Sequence, residues 1–355
     1  MSNDAIKTSG RATLKEIAEL AGVSVSTASL VLSGKGAARR ISREVETRVR
    51  EVALRRDYSP NLLVRSMQRG RTHVLSFYSA FGHRERGDLY MDRLSTAVEQ
   101  AAGIRGYDML VHCDYSRPVE EAYGRLNGGR ADGLLYFGPQ EDDPLLPLLR
   151  SSRLPTVLIN HADEAGVLSS VREDMEGGMQ QVAQALLQQG HSRIAAIASF
   201  PGNRSDAPAR IAALRSYLQL AGIPIPERWI IPLFRESVHT PESALRFLMS
   251  EPTPPTALFC WHDRVGYELL EVCERLGIAV PEQLSLIGYD GLHWPSTARH
   301  VLASVDVSLD TLAEAAVGLL DDLIQGKAEA PVRQVFPVSF LGGDTLTAPL
   351  PDKEV

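Results

Sequence analysis

Cysteine is nearly missing from this chain: Cys113, Cys260 and Cys273 are the only three in 355 residues. None lies in a C-x-x-C arrangement, so neither a disulfide framework nor a zinc site is indicated, and Cys260-Trp261-His262-Asp263 has no partners at ligand spacing. No apolar run reaches the roughly 20 residues that span a bilayer. The opening stretch MSNDAIKTSGR has no apolar segment of the secretory kind, so the expected location is cytoplasmic, with no membrane partner. Catalytic signatures are missing as well. There is no G-x-S-x-G elbow, no Walker P-loop, no G-x-G-x-x-G after the first strand of the body and no H-E-x-x-H. An enzyme is therefore the weaker reading, and no cofactor or metal is expected. A transport binding protein would need an export signal and no basic head, the reverse of what this chain carries.

What is present describes a globular protein of two or three domains, with 44% hydrophobic and 23% charged residues. The formal charge of -7 conceals a division. Residues 1–71 carry 14 Lys and Arg against 7 Asp and Glu, so a basic head sits on an acidic body. A module that reads DNA needs its cations localised, while the body must not adhere indiscriminately.

Thr13–Gly34, TLKEIAELAGVSVSTASLVLSG, organises the head. Thr13 and Glu16 form the T-x-x-E of a capping box, which starts a helix with Leu14, Ile17 and Ala18 on one face. Ala21-Gly22-Val23 breaks it, and Ser24 caps a second helix through about Leu32. Ala28, Val31 and Leu32 pack inward there, leaving Val25, Ser26, Ser29 and Leu30 outward. Two helices joined by so short a turn make a helix-turn-helix, whose second helix enters a major groove. The pattern alone also fits an ordinary helical hairpin. KGAARR (35–40) follows as a cationic loop, and Ser42 caps a third helix through Val45, Val49 and Val52 toward Asp57. After the stop at Tyr58-Ser59-Pro60-Asn61, the segment LLVRSMQRGR is too short to be helical alone in water. It places Met67 beside Arg65 and Arg69. An apolar side chain between cations suits a minor-groove wedge, although Met67 could equally pack on the body.

From Thr72 onward, apolar runs alternate with amphipathic helices. Strands are expected at 73–78, 108–112, 133–137, 156–160, 194–198, 257–260, 285–289 and 303–306. Helical patterns fall at 91–104, 176–189, 207–220, 265–276 and 309–324. Such alternation predicts parallel sheets covered on both faces, and at this length two sheets rather than one. Ligands of open α/β sheets sit beyond the carboxyl ends of strands, which points to Asn203, Arg204, Asp206, Trp261, His262, Asp263, Asp290 and nearby Trp294. Carboxylates, an arginine and indole faces suit a polyhydroxylated or planar ligand. Plainer roles compete with this reading. Asp263 would also cap a helix beginning near Arg264, Asp290-Gly291 would also be a turn, and both tryptophans would also serve as core residues.

Taken together, TLKEIAELAGVSVSTASLVLSG, YSPN, RSMQRG, GHSRIAAI, PPTALFCWHD and LSLIGYDG make the whole chain resemble the lactose-repressor/galactose-repressor family of bacterial transcription regulators. The likeness covers Arg11 to Leu341. It implies an α/β fold with an N-terminal three-helix, helix-turn-helix head. The body would be periplasmic-binding-protein-like, built from two doubly wound parallel-sheet subdomains. The expected divisions are a DNA-binding domain at 1–59, a hinge at 60–71, an effector-binding and dimerisation domain at 72–345 and a tail at 346–355. The chain should cross between subdomains near 173, 303 and 330. The implied function is a homodimeric regulator, usually a repressor, that binds double-stranded operator DNA under the control of a small molecule.

Matched position by position, Val25, Ser26 and Leu30 fall on the base-reading positions. Thr13, Ser24, Thr27, Ser29, Tyr58, Asn61, Arg65 and Ser66 complete the expected DNA-contacting set. Met67 stands where the family usually has an intercalating leucine, a departure that keeps size and apolarity. Tyr90 and Met91 match effector positions of the first subdomain, Arg204 and Asp206 the arginine loop, Phe259 the stacking position, and Asp263 and Asp290 the acidic positions. Trp261 joins them from its place after a strand. Met91 replaces the aromatic residue of purine-binding members, which favours a sugar or sugar derivative over a nucleoside or purine. The last residues, LPDKEV, add no leucine heptads, so a coiled-coil tetramer is not expected.

Overall fold

Thr13 and Glu16 close their capping box. Thr13 N–H donates to Glu16 Oε2 at 2.7 Å, and Glu16 N–H donates to Thr13 Oγ1 at 3.3 Å. Helix α1 (Leu14–Leu20) follows, then α2 (Val25–Leu32) from its Ser24 cap and α3 (Arg43–Arg55) from its Ser42 cap. Their inward residues Ile17, Ala18, Ala28, Val31, Val49, Val52 and Ala53 form one small core with Ala21, and Tyr58 packs against it. The small side chains let the three helices approach closely. Two cations of α3 are used internally: Arg48 Nε donates to Ala21 O at 2.8 Å, and Arg50 Nη2 donates to Val31 O at 3.3 Å. Each satisfies a carbonyl near the end of a helix, one of the groups a helix cannot pair by itself.

The computed structural model describes residues 12–61, 66, 70–80, 87–112, 115–140, 142–198, 207–233 and 240–351. The chain divides into two units, Met1–Thr72 and His73–Val355. Arg65 and Met67 of the expected hinge, and Arg204 and Asp206 of the expected arginine loop, lie outside the described residues.

In the second unit, β1 (Val74–Ser79), α4 (Leu89–Ile104), β2 (Asp108–Val111), α5 (Val119–Leu126), β3 (Gly133–Phe137), α6 (Leu145–Arg150), β4 (Thr156–Ile159) and β5 (Ser169–Glu173) build most of a first sheet. The chain then runs through α7 (Met175–Gln188), β6 (Ile194–Ala198), α8 (Ala207–Leu220), β7 (Ile230–Pro232), α9 (Pro241–Met249), β8 (Ala257–Cys260), α10 (Asp263–Leu276) and β9 (Ser285–Ile287), the second sheet and its helices. Last come β10 (Ser304–Asp306), α11 (Leu309–Gln325), β11 (Arg333–Phe336) and β12 (Ser339–Leu341). The first sheet has six strands in the order β11-β5-β4-β3-β1-β2, and the second has four in the order β7-β6-β8-β9. Every pairing within both is parallel. β10 and β12 make an antiparallel ribbon, and Ala303 and Asp306 bridge it to Ile287 and Asp290.

Strand period explains how both faces of the first sheet are buried. Leu75, Phe77, Leu135 and Phe137 enter the large core, while Leu134, Tyr136 and Leu158 enter a second core with Leu126, Leu146 and Leu149. α11 lies against β3 closely enough that a Cβ on Gly133 would come within 2.7 Å of Leu320 Cδ1. Three passages join the two sheets: Glu173 into α7, Asp306 into α11, and Phe336 into β12. The last falls beyond the expected 330, because β11 first pairs with β5 and completes the first sheet.

Candidate functional site

Arg210 lies on the buried stripe of α8, with Ala207, Ile211, Leu214 and Leu218. An arginine is kept among them by its partners. Nη2 donates to Glu173 Oε1 at 3.2 Å, and Nη1 donates to Asp290 Oδ1 at 3.3 Å and to Trp261 O at 2.7 Å. The guanidinium also lies 3.8 Å from the centroid of the Tyr289 ring. Its side chain is 3% exposed, and the two carboxylate side chains 7% and 9%. Charges this deep hold together only when paired, and removing one partner costs about 3–5 kcal/mol. Glu173 ends β5 of the first sheet, whereas Asp290 follows β9 of the second, so the arginine ties the two sheets together at a passage of the chain.

The polar chain continues through Asn160, which follows β4. Its Nδ2 donates to Glu173 Oε2 at 3.4 Å and to Tyr90 Oη at 2.7 Å, and the Tyr90 ring lies 5.9 Å from that of Phe137. Asn160 and Asp290 both have positive φ, 56° and 112°. Such backbone costs of order 1–3 kcal/mol and persists where the surroundings impose it, commonly at functional sites. For Asp290 the surroundings can be named. A Cβ on Gly288 would run into the Asp263 carboxylate, and one on Gly291, at φ 69°, would come within 2.6 Å of Asp306 Cα. Both glycines of IGYDG are therefore required by close approach.

On the other side stands Trp261, with its ring centroid 4.0 Å from that of His262. His262 Nδ1 accepts the Val265 N–H at 3.2 Å and caps α10. Burial, reinforced by the charges of Arg210 and Arg264, lowers its pKa to about 3. The ring is thus neutral, with its proton on Nε2. Asp263 does not cap the helix, a place His262 takes. It is the first residue of α10 rather than its cap, and it is wholly buried. It accepts from Leu292 N–H at 2.5 Å and Ser304 Oγ at 2.6 Å. Burial pushes its carboxyl up to about 7, opposed by those same donors and by Arg210. Further along α10, Glu271 accepts from Thr297 N–H and Ser296 Oγ, and Glu274 from Arg299 N–H. One helix therefore holds the loop that carries Trp294.

The remaining expected effector residues separate. Tyr90 joins the polar chain. Met91 is 6% exposed and Phe259 wholly buried, both in the large core. In the head, Val25 is 46% exposed, and Ser24, Ser26 and Ser29 are exposed, with Leu30 half-buried beside them. Ser24 Oγ lies 2.8 Å from both Ser26 Oγ and Thr27 Oγ1, which places three hydroxyls at the N-terminus of α2. That end of a helix favours phosphate.

Residues 13–61 match the family of bacterial regulatory proteins of the lacI type, and residues 183–345 match the periplasmic binding protein-like domain. The chain belongs to the LacI family. It is 28% identical over 327 residues to the HTH-type transcriptional repressor PurR of Escherichia coli, covering 90% of this chain and 92% of that protein. The fold is shared with a lac repressor dimer bound to operator and an anti-inducer, at TM-score 0.80 and 22% identity over 96% of this chain and all of that one. A second LacI-like neighbour is the transcriptional regulator CelR in complex with cellobiose, at TM-score 0.67 and 26% identity, covering 94% and 100%.

Of the residues in this buried polar group, sequence reasoning overlooked Arg210, Glu173 and Asn160. A search confined to residues just beyond apolar runs passes over an arginine in mid-helix. The available signal was an arginine on an apolar stripe. Glu173 ends the polar strand SSVRE, and Asn160 was counted as the last residue of a strand. Among the described residues, no group of three His, Cys, Asp or Glu could hold a metal ion, and no helix is long and apolar enough to cross a membrane.

Proposed function

We propose that this protein is a homodimeric transcriptional repressor that reads operator DNA with α2 and is controlled by a small molecule held beside Arg210. The single observation that carries the effector reading is the buried Glu173–Arg210–Asp290 group, which ties the two sheets at a passage of the chain. A ligand that meets these groups differently in two subdomain arrangements shifts the balance between them. By linkage, DNA and effector then alter each other's affinity by the same factor. Val25, Ser26 and Leu30 face the bases, the hydroxyls at the start of α2 and the nearby cations meet phosphate, and Met67 wedges the minor groove. Two-fold symmetry of the dimer calls for a near-palindromic operator. The protein acts in the cytoplasm, on DNA of the nucleoid. The effector is a sugar or sugar derivative, a reading supported by the cellobiose complex of CelR and by the pairing of carboxylates with an indole.

A mobility-shift assay on DNA upstream of its own gene, with and without cell extract, tests this. The wild type shifts the fragment and the extract changes its affinity. Arg210→Met retains the shift and loses the response. A wild type that shifts no such fragment under either condition contradicts the regulator reading.

A further inference from the structure

The three passages between the sheets are joined to one another outside either sheet. Passages one and three leave the first sheet together: Glu173 and Phe336 are partners at the ends of β5 and β11, and Asp174 N–H donates to Phe336 O at 2.8 Å. Passages two and three share the antiparallel ribbon, where Val305 stands opposite Phe340 and Asp306 opposite Ser339. The other edge of β12 meets no strand among the described residues. Gln181 of α7 takes that place. Its Nε2 donates to Val338 O at 3.0 Å, and its Oε1 accepts the Phe340 N–H at 2.9 Å. The carbonyl of one strand residue and the N–H two residues on face the same side, so a single side-chain amide pairs with β12 as a neighbouring strand would.

Gly178 lets the helix come this close. It lies three residues before Gln181 on the same face, and a Cβ there would sit 2.7 Å from Tyr289 Oη and 3.0 Å from Val338 Cγ2. Val338 is buried and Gln181 half-buried, so water is a poor substitute for these two bonds. Only an amide can make both, because the position needs a donor and an acceptor on one planar group.

We infer that Gln181 is a positioning residue that fastens the three passages into a single hinge, and that its amide sets how fully a change in one sheet is passed to the other. α7 continues from passage one, β12 from passage three, and β10 leads into passage two. The amide links the first to the third, and the ribbon links the third to the second. With both links in place the passages turn together. Without the amide, α7 slides along β12 and the two sheets take a wider range of arrangements. The functional half of this inference rests on the reading of the protein as an effector-controlled repressor.

The test uses the full-length protein carrying Cys113→Ser, with nitroxide labels at Glu120→Cys on α5 and Ser216→Cys on α8, exposed positions beside different sheets. Double electron–electron resonance reads the distribution of distances between the labels. Gln181→Met keeps the length of the side chain and loses both hydrogen bonds, and should broaden that distribution. In a mobility-shift assay on the upstream fragment, the probe is the low-molecular-weight fraction of cell extract. The ratio of operator affinities with and without it should move toward one by about twofold to thirtyfold in Gln181→Met. Gln181→Glu, which keeps an acceptor but sets a carboxylate against Val338 O, should broaden the distribution as well and stands as a second probe should Gln181→Met fold poorly. Gln180→Met, on the exposed face of the same helix, should match the wild type. The inference is overturned if both Gln181 variants keep the wild-type distribution, if they broaden it without changing the ratio of a responsive wild type, or if Gln180→Met does the same as they do. A wild type that ignores the extract, beside Gln181 variants that broaden the distribution, would remove the effector reading and keep the hinge, so the two failures are distinguishable.

Discussion

His262 shows how much one side chain can be asked to do. Its Nδ1 caps α10, its ring packs on Trp261, and the native fold keeps it neutral down to about pH 3. In the unfolded chain the same ring takes a proton near its ordinary value of 6.5. Because the folded pKa is the lower one, its share of stability is complete above pH 6.5 and is lost progressively as the pH falls toward 3. The slope from one such group is at most about 1.4 kcal/mol per pH unit. His262→Asn keeps a capping oxygen without a titrating ring. Denaturant unfolding from pH 7 to pH 4 should give a shallower decline for this variant than for the wild type, and equal slopes would remove His262 from the account. Asp263 works in the opposite sense, since a raised carboxyl pKa favours the fold at low pH and loses that contribution through about 7. Comparing the variant with the wild type cancels that background. At this scale the sequence reading was uneven. Asp290 and Trp261 were legible because they end apolar runs. The bonds that bury Asp263 were not legible, since its partners Leu292 and Ser304 are distant in sequence.

Caps and periodicity carry the elements. α1, α2 and α3 begin where Thr13, Ser24 and Ser42 predict, because each cap is a local device whose acceptor and donor lie three residues apart. Ser24 has the largest local role, since its hydroxyl accepts the Thr27 N–H and touches two neighbouring hydroxyls. Ser24→Ala should destabilise α2 by about 1 kcal/mol. Native-state hydrogen exchange should then speed roughly fivefold in the first turns of α2, with the second unit unchanged. Exchange unaltered there would show the cap to be redundant. Three of the strands missed by pattern have a shared physical character. β5 (SSVRE), β11 (RQVF) and β12 (SFL) are short, and the first two contain charged residues. β11 and β12 pair with strands far away in sequence, β5 pairs with distant β11 as well as with its neighbour β4, and no period of two apolar residues announces them. The loop at 291–302 is similar, since what fixes it is the acidic face of α10.

For the whole molecule, the uneven distribution of charge is the property that reaches furthest. Operator binding should weaken steeply with salt, by about 10³ to 10⁵ between 50 and 200 mM if six to ten phosphates are contacted. The cations differ in what they contribute. Arg39→Gln, in the exposed loop, should reduce the salt slope by about one. Arg48→Gln removes the bond to Ala21 O and should lower the stability of the head instead. Filter binding across a salt series, beside thermal unfolding of both variants, separates the two, and identical behaviour would show that position in the head does not matter.

The sequence by itself determined the helix-turn-helix with its caps, the basic head on an acidic body and the alternation that makes parallel α/β layers. Each of these depends on neighbours within a few turns or on composition, so each is written locally. The tertiary structure alone decided which residues meet. Glu173, Arg210 and Asp290 are separated by long stretches of chain, and their burial together follows from where β5, α8 and β9 come to lie. A buried charge is tolerable only beside its partner, and that partnership exists only in the folded chain.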